Sequence, residues 1–356
     1  MKIFLMGGPN IGPYHHARFT AAAKLIPDFS YVKVPATDLY RPWSGDNPAP
    51  GFNILRVPAA YQTWSFLNAH RPEVVVTVGY ANPSLAAAAI WAKRHEVPVF
   101  IINESTQQDK PRTRMLELAK SLFVGRVYSG CFATGQRAAD YIRSLGLRNV
   151  PFWYGAAVVD NPHFFSSTPV PMREKTFLTV ARLSPEKNIG TLFKAFEIYR
   201  ENGGKWEMTV AGTGPAEAML KKAVPESLRS FVKFAGWVSY VDLPGLYARA
   251  SCFILPSLSE PWGLVVNEAM AAGLPILVSE RCGAAPELCE EGVNGFTFPP
   301  TDPENLARRM LQISSNEGAL DAMGQASSRI VRGFTPETWA LTMLEISRHA
   351  LRTVKS

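Results

Sequence analysis

The pattern that decides the fold is clearest in residues 252–275, which read CFILPSLSEPWGLVVNEAMAAGLP. The run Cys252–Pro256 is apolar and typical of a buried strand, and a helical pattern follows Gly263. A second apolar run, Pro275–Ser279, comes directly afterwards. A strand, a helix and another strand in this order predict a parallel β-sheet that is covered by helices.

The same alternation extends through the whole chain. The predicted strands are Lys2–Met6, Val74–Val78 and Val97–Ile102 in the first half, and Thr176–Val180, Trp206–Ala211, Cys252–Pro256 and Pro275–Ser279 in the second. Between the halves lies Ser166–Pro171, whose prolines and small polar residues predict an extended linker. We therefore predict an α/β protein with two doubly wound, Rossmann-like domains, residues 1–167 and 168–335, facing each other across a cleft that holds the ligand.

Composition limits the classes of protein that this chain can be. It has 356 residues, of which 47% are hydrophobic and 19% charged, and only 4 Cys, which excludes a disordered, collagenous or disulfide-stapled protein. The cysteines form no C-x-x-C pair. The first apolar stretch is too short for a signal peptide, and no uninterrupted run reaches the ~20 apolar residues of a membrane span. These features predict a cytoplasmic protein.

The positive charge lies in the first half. Residues 1–167 hold 17 Lys+Arg and 10 Asp+Glu, an excess of 17 − 10 = +7, whereas residues 168–356 hold 20 of each. The densest part, residues 109–126, is a basic segment with the pattern of an amphipathic helix. Two interpretations stay open: a solvated helix face over an ordinary core, or a surface for an anionic membrane or a phosphate-bearing substrate. No nucleic-acid motif accompanies the charge, so no nucleic acid is expected as a partner.

Two cations follow the predicted strand Thr176–Val180. Arg182 and Lys187 lie in the turn before a helical pattern that spans Ile189 to Tyr199. Loop amides and a helix N-terminus favour an anion at such a turn, and two full charges would suit a diphosphate. Surface ion pairing is the ordinary alternative for either residue taken alone.

Two carboxylates follow the predicted strand Cys252–Pro256. Glu260 and Glu268 are eight residues apart, which corresponds to ~12 Å along a helix and less if the first part is a loop. Glu268 could accept both hydroxyls of a ribose, and Glu260 those of a sugar beyond a diphosphate. Gly263 would let the backbone approach such a ligand at a helix start. The alternative is that both carboxylates only complement the helix dipole.

These motifs resemble the C-terminal domain of family 4 retaining glycosyltransferases of the GT-B type. Three further stretches match that family in order and spacing: Ala211–Pro215, Phe234–Val238 and Pro286–Gly295. The resemblance is continuous from about Thr176 to Pro303. It implies a nucleotide diphosphate sugar as the donor, a hydroxyl acceptor, and a role in polysaccharide, glycolipid or glycoside biosynthesis.

The resemblance also implies roles for single residues. Arg182 and Lys187 would bind the donor diphosphate, Glu260 the donor sugar and Glu268 the ribose. The amides of Gly263, Leu264 and Val265 would bind phosphates and sugar, and the backbone from Gly236 to Val238 would contact the base. In the family a C-terminal helix crosses back to the first domain, a role that falls here to residues 336–356.

The first domain departs from the family pattern. Ile11 replaces the first glycine of a paired-glycine loop, which leaves Gly12 to reach the donor phosphate. His16 aligns with a family histidine, although a structural role is common for a histidine at a helix start. Asn103 and Glu104 stand where many relatives have a histidine. We predict that they line the acceptor pocket, with Glu104 orienting or accepting a proton from the acceptor hydroxyl; a helix-capping segment is the alternative.

The predicted mechanism uses no cofactor and no metal. The chain has no Asp-x-Asp motif, and its His, Asp and Glu residues show no metal-binding spacing. Arg182, Lys187 and helix-start amides would stabilise the charge of the departing nucleotide diphosphate. The resemblance implies reaction on one face of the sugar, with retention at the anomeric carbon.

Other functions stay open at this point. A nucleotide-sugar epimerase would share the fold, and a non-catalytic nucleotide-sugar-binding protein would keep the site without turnover. A dinucleotide oxidoreductase is excluded, because the glycines at 7, 8 and 12 lack the G-x-G-x-x-G spacing. The basic first domain suggests an acceptor that is lipid-linked or phosphate-bearing, and peripheral attachment to the inner face of an anionic membrane.

Overall fold

The computed structural model describes residues 1–35 and 51–355. The chain divides into two compact units. Unit 1 comprises Met1–Gln107, Pro111–Asp160 and Phe334–Ser356, and unit 2 comprises Gln108–Lys110 and Asn161–Gly333. The chain passes from unit 1 to unit 2 after Asp160, seven residues before the boundary predicted after residue 167. The C-terminal helix belongs to unit 1.

Unit 1 is built on a seven-stranded parallel sheet. Its strands are β1 (Ile3–Gly7), β2 (Phe29–Lys33), β3 (Asn53–Arg56), β4 (Val74–Val78), β5 (Val99–Asn103), β6 (Gly130–Ala133) and β7 (Phe152–Tyr154). They lie in the order β3-β2-β1-β4-β5-β6-β7. Ile3 and Leu5 face one core and Phe4 and Met6 the other, as the alternation of side chains along a strand requires. The sheet is therefore buried on both faces.

Helices cover both faces of this sheet. They are α1 (Pro13–Leu25), α2 (Thr63–His70), α3 (Pro83–Arg94), α4 (Arg114–Val127), α5 (Gln136–Ser144) and α14 (Pro336–Lys355). Helices α1 and α14 pack together on one face, where the rings of Phe19 and Trp339 are 5.8 Å apart. Residues of α2, α3, α4 and α5 contribute to the core on the other face.

Unit 2 is a second α/β layer structure with a six-stranded parallel sheet. Its strands are β8 (Thr176–Val180), β9 (Glu207–Ala211), β10 (Val232–Gly236), β11 (Cys252–Leu255), β12 (Ile276–Ser279) and β13 (Gly295–Phe298). Their order is β10-β9-β8-β11-β12-β13. Its helices are α6 (Asn161–Phe164), α7 (Ile189–Glu201), α8 (Glu217–Ala223), α9 (Leu243–Arg249), α10 (Leu264–Ala271), α11 (Ala285–Leu288), α12 (Pro303–Ser314) and α13 (Glu317–Val331).

The segment predicted to be an extended linker is packed against unit 2. Val170–Met172 forms a turn of 3-10 helix, and Val170 is buried. Arg173 donates from Nε to Thr168 O at 2.9 Å and from Nη2 to Ala272 O at 2.9 Å. Proline spacing alone did not show these long-range contacts, which hold the segment on the surface of unit 2.

The longest helix in the described part of the chain is α14, with 20 residues. Its buried residues Trp339, Met343 and Ile346 recur at helical spacing and pack in the core of unit 1. Residue 356, the last of the predicted helix, lies outside the described residues. Across residues 1–35 and 51–355, none of the helices combines the length and apolar character needed to cross a membrane.

Candidate functional site

The topology of unit 2 places the predicted site residues at one point. From β8 the chain runs outward through β9 and β10 and then returns to β11 on the other side of β8. Loops that follow β8 and β11 therefore leave the sheet in opposite directions, and such a switch point is where open α/β sheets bind ligands. Arg182 and Lys187 follow β8, and Glu260 follows β11.

An ion pair joins the two loops at the switch point. The ammonium of Lys187 donates to Oε2 of Glu260, and the two side chains are only 19% and 12% exposed. Ser257 Oγ lies 3.4 Å from the same carboxylate oxygen. Because the pair is largely buried, removing either partner would leave the other charge without its counter-ion in a low-dielectric environment. The structure thus brings together Lys187 and Glu260, which were predicted to bind the donor diphosphate and the donor sugar.

Asn188 fixes the backbone next to Lys187. It is the N-terminal cap of α7 and has a left-handed conformation, with φ of 57°. Its side-chain amide donates to Pro256 O at 3.0 Å and to Pro300 O at 2.7 Å. These two bonds tie the loop after β8 to the ends of β11 and β13. Lys187 therefore extends from a rigid turn.

The turn that carries Arg182 packs closely on the glycines after β9. Leu183 N–H donates to Thr213 O at 2.9 Å. Gly212 has φ of +124°, and a Cβ atom there would lie 1.9 Å from Ala181 O. Only glycine allows this conformation and this approach. Arg182 itself is exposed at the edge of the turn.

Replacing Gly212 by alanine is expected to destabilise unit 2 by about 3 kcal/mol, because it adds both a backbone clash and an unfavourable φ. The measurement is the urea midpoint of unfolding. Gly190→Ala is the matched control, since nothing lies within 4 Å of a Cβ at that helical position. Equal midpoints for the two variants would show that the close approach is absent.

The positive charge of this turn affects a neighbouring acid. Ser184 Oγ donates to Glu186 Oε1 at 2.5 Å. Burial alone would raise the pKa of Glu186, but this hydrogen bond and the charges of Lys187 and Arg182 together lower it below its usual value. The turn therefore favours a negative group, as a diphosphate site requires.

Gly263 begins helix α10 beside Glu260. Its φ is +100°, and a Cβ atom would approach Cys282 Sγ and Leu255 Cδ2 at 3.0 Å. Because α10 starts at Leu264, the amides of Leu264 and Val265 lie in its first turn and point out of its N-terminus. Trp262 Nε1 donates to Asn267 Oδ1 at 2.9 Å and braces this start. The segment from Glu260 to Gly263 is a loop, so the two carboxylates are not on one continuous helix.

Glu268 lies inside unit 2. It is 1% exposed, and the hydroxyl of Tyr247 donates to its Oε2 at 2.7 Å. Tyr247 is on α9 and is fully buried. The carboxylate is therefore fixed in position by a neighbouring helix. A ligand reaches it only if the residues that cover it rearrange.

The predicted base contacts lie at the end of β10. Gly236 accepts a hydrogen bond from Gly212 N–H at 2.7 Å, which places it beside the turn after β9. Trp237 is 62% exposed, and Val238 is half-buried. The backbone of this segment is thus accessible at the same edge of the sheet as Arg182.

Two residues predicted to contribute from unit 1, Gly12 and His16, lie at the start of α1. Gly12 is the cap of α1, and its N–H donates to Nδ1 of His15 at 3.2 Å. His16 is half-buried with its ring edge against Phe52, 5.4 Å between centroids. Burial and the charge of Lys33 lower the pKa of His16. The lowered pKa favours the neutral form of the His16 ring.

Asn103 and Glu104 differ in their environments at the end of β5. Asn103 is 4% exposed, and its Nδ2 donates to Ser105 O at 2.8 Å and to Ala138 O at 3.0 Å. Glu104 is exposed and interacts electrostatically with Arg18. Arg18 donates from Nη1 to Ala156 O at 3.1 Å. Asn103 supports the loop, while Glu104 is accessible at the carboxyl edge of the sheet.

Sequence reasoning missed several residues that support the site. Tyr247 and Asn188 hold Glu268 and Lys187 in place, and Arg18 lies near Glu104. Tyr247 precedes Glu268 by 21 residues, so no local spacing connects them. Asn188 does give a signal, since a polar residue directly before a helical pattern is a candidate cap.

Metal ligands were also sought in the structure. In residues 1–35 and 51–355, no group of three or more His, Cys, Asp or Glu side chains is placed to hold a metal ion.

Comparison with known proteins identifies the part of the chain that contains this site. Residues 160–329 match the model of the family described as glycosyl transferases group 1. The segment contains Arg182, Lys187, Glu260 and Glu268, so the predicted resemblance to glycosyltransferases is confirmed there. Assignment to family 4 stays a prediction.

Curated relatives resemble part of the chain. The amylovoran biosynthesis glycosyltransferase AmsK of Erwinia amylovora is 37% identical over 147 residues, which are 39% of this chain and 36% of the relative. A glycosyltransferase of Methanocaldococcus jannaschii whose function is uncharacterised, MJ1607, is 34% identical over 147 residues, which are 41% and 37% of the two chains. The chain thus matches little more than a third of the length of these relatives.

Solved structures resemble nearly the whole chain. The Alr3699/HepE protein of Anabaena, solved in complex with UDP, has a TM-score of 0.79 and 17% identity over 98% of this chain and 100% of its own. Sucrose-phosphate synthase of Thermosynechococcus elongatus has a TM-score of 0.75 and 17% identity over 99% and 100%. The predicted α/β fold of the GT-B type, with two Rossmann-like domains, is confirmed.

Proposed function

We propose that the protein is a retaining, metal-independent glycosyltransferase that moves a sugar from a nucleotide diphosphate sugar to a hydroxyl acceptor. The observation that carries the proposal is the Lys187–Glu260 ion pair. It lies at the switch point between β8 and β11, within the segment that matches glycosyl transferases group 1. Polysaccharide, glycolipid or glycoside biosynthesis is the proposed setting.

The proposed donor site is in unit 2. Arg182 and Lys187 bind the diphosphate together with the amides of Leu264 and Val265, since two cations and a helix start favour the same anion. The related Anabaena protein was solved with UDP and with UDP-glucose, which supports a uridine nucleotide as the first donor to test. Glu268 binds the ribose after the rearrangement that its burial requires, and the backbone from Gly236 to Val238 contacts the base.

In the proposed reaction, the bond between the anomeric carbon and the β-phosphate oxygen breaks, and a bond to the acceptor oxygen forms on the same face of the sugar. The acceptor proton passes to the departing phosphate oxygen. Lys187 and Arg182 stabilise the charge that develops on the leaving diphosphate. Glu260, held by Lys187, accepts hydroxyls of the transferred sugar and fixes its position.

The proposed reaction needs no divalent cation, because fixed cations and amides meet the leaving-group charge. Treatment with EDTA is expected to change the initial rate by less than about twofold, within the scatter of such assays. The measurement is nucleotide release before and after chelation, with back-addition of Mg²⁺ and Mn²⁺. Activity that disappears with EDTA and returns with one of the metals would disprove metal independence.

The proposed acceptor side is in unit 1, where His16, Asn103 and Glu104 lie near the carboxyl edge of the sheet. Glu104 is exposed there and can orient a hydroxyl, while Asn103 holds its loop. Glu104→Gln is expected to lower the turnover rate by about tenfold to a hundredfold with little change in donor affinity. An unchanged turnover rate, measured with saturating donor and acceptor, would remove Glu104 from the site.

The function as a whole is tested by incubating the protein with UDP-sugars and a panel of hydroxyl acceptors. Nuclear magnetic resonance then gives the anomeric configuration of the product. Transfer with retained configuration is the expected result. An inverted product would contradict the mechanism, epimerised sugar without transfer would indicate an epimerase, and nucleotide binding without turnover would indicate a non-catalytic binding protein.

A further inference from the structure

Helix α4 has an unusual outer face. Met115, Leu118 and Leu122 recur at three- and four-residue spacing and are 82%, 64% and 54% exposed. We call these three residues the α4 stripe. Leu116 beside them is 60% exposed. The helix is fixed to unit 1 by its opposite face, where Val124 is fully buried.

The α4 stripe concentrates exposed apolar surface. Single exposed apolar side chains are ordinary in soluble proteins, but the three residues of the stripe lie on one side of a single helix. Such patches mark surfaces that another molecule covers. Helix α4 therefore carries apolar residues on its outer face as well as on the face that meets the core.

The charge around the stripe is positive. In unit 1, residues 111–148 contain seven Lys and Arg and two acids, a net charge of 7 − 2 = +5. Both acids are paired locally: Glu117 with Lys120 at 2.6 Å, and Asp140 with Arg143 at 2.9 Å. The segment from residue 111 to residue 148, which contains α4, thus keeps a positive excess.

Two arginines lie at the ends of the stripe. Arg126 is in the last turn of α4, where any helix favours a cation. Arg114 is in the first turn, where the helix dipole disfavours one, so helix stability does not explain it. At the C-terminal end of α4, Gly125 packs closely on Gly146, since a Cβ atom on Gly125 would lie 3.0 Å from the Gly146 backbone. This close packing brings the segment that contains Arg148 near Arg126. Cations therefore border the stripe on both ends.

We propose that the α4 stripe docks on an anionic lipid surface. An apolar helix face bordered by cations matches the boundary between acyl chains and anionic headgroups, because the apolar side chains insert while the arginines contact lipid phosphates. A protein partner with an apolar groove would cover the stripe but would not by itself explain the arginines at both ends. The positive charge at both ends of the stripe therefore favours an anionic lipid surface over a protein partner.

The role that we assign to docking rests on the proposed function. Helix α4 is the next helix after β5, whose carboxyl end carries the proposed acceptor residues Asn103 and Glu104. Docking through α4 would hold that edge of unit 1 near hydroxyl acceptors that are embedded in the lipid. The proposal thus narrows the acceptor class to lipid-linked molecules.

Vesicle flotation of the full chain tests the proposal. The vesicles are pure phosphatidylcholine, or phosphatidylcholine with about 30 mol% phosphatidylglycerol, enough to give an anionic surface potential. The variants are Leu118→Ser/Leu122→Ser and Arg114→Gln/Arg126→Gln. The matched control, Tyr61→Ser/Leu341→Ser, changes two apolar side chains of unit 1 that are 86% and 56% exposed.

We expect the wild type and the control to float with anionic vesicles at least tenfold better than with neutral ones. Each α4 variant should lose at least tenfold of this binding. No preference for anionic vesicles in the wild type, or an equal loss in the control, would overturn the proposal. A concentration-dependent dimer that the Leu118→Ser/Leu122→Ser variant abolishes would also overturn it, because a second copy would then cover the stripe.

Nucleotide binding is measured on the same variants to separate this proposal from the proposed function. The α4 variants should bind UDP as the wild type does, since α4 is in unit 1 and the proposed donor residues are in unit 2. A wild type that binds UDP but shows no preference for anionic vesicles would overturn docking alone. Flotation without UDP binding would support docking and contradict the donor site.

Discussion

Replacing Lys187 by alanine is expected to lower kcat/KM for glycosyl transfer by about a thousandfold, the upper range for removal of one preorganised stabilising group. Lys187 supplies a charge for the leaving diphosphate and also holds Glu260 in place. Its removal therefore affects the leaving group and the sugar site together. The measurement is initial-rate kinetics of nucleotide release over a range of donor concentrations.

Lys194→Ala is the matched control, because Lys194 is an exposed lysine on the helix that follows the same turn. It should leave kcat/KM unchanged. Lys187→Ala/Glu260→Ala should be far less damaging than the product of the two single effects, since the residues act as a pair. Additive effects would show that the ion pair has no role in catalysis.

Replacing Glu268 by alanine is expected to weaken nucleotide binding by about a hundredfold. Two hydrogen bonds from ribose hydroxyls to a carboxylate would be lost, each contributing about 1.5–3 kcal/mol before compensation. Tyr247→Phe should act differently, because it leaves the carboxylate in place but removes its buried donor. We expect that variant to lower the free energy of unfolding by about 2 kcal/mol.

Glu226→Ala is the control for both variants, since the Glu226 side chain is 85% exposed and lies in a 3-10 turn. It should alter neither UDP affinity nor stability. Calorimetric titration gives the affinities, and urea denaturation gives the stabilities. Wild-type affinity in the Glu268→Ala variant would remove Glu268 from the donor site and leave it with a structural role.

Buried central strands were predictable from the sequence. The strands β4 and β8 have the predicted bounds, because each is a short apolar run with both faces covered. Within residues 1–35 and 51–355, six strands were missed. Two of these, β3 and β7, lie at the sheet edges, and none of the residues of either strand is buried. An edge strand that buries little apolar surface gives no continuous apolar signal.

The start of the basic helix was also predictable only in part. The basic segment begins at residue 109, but α4 starts at Arg114. Pro111 disfavours helical backbone in the preceding residue, and Arg112 is held outside the helix by stacking on the Tyr141 ring, 3.7 Å from its centroid. The sequence showed the periodicity of α4, but not that Met115, Leu118 and Leu122 face outward, because periodicity does not say which side meets the core.

The position of the candidate site was predictable, because the strand topology alone determines it. Residues that follow β8 and β11 meet because the strands are neighbours in the sheet, and a doubly wound fold requires such a meeting point. Individual side-chain contacts were not predictable. Tyr247 donates a hydrogen bond to the buried Glu268, and the Asn103 amide donates one to Ala138 O. Both contacts depend on packing between elements that are distant in the sequence.

Calorimetric titration of UDP into the wild type and into Lys187→Ala tests whether the loops after β8 and β11 form a nucleotide diphosphate site. We expect saturable binding to the wild type and affinity at least tenfold weaker in the variant, with Lys194→Ala unchanged. If UDP and the other nucleoside diphosphates fail to bind the wild type, or bind the wild type and Lys187→Ala equally, these loops do not form the site.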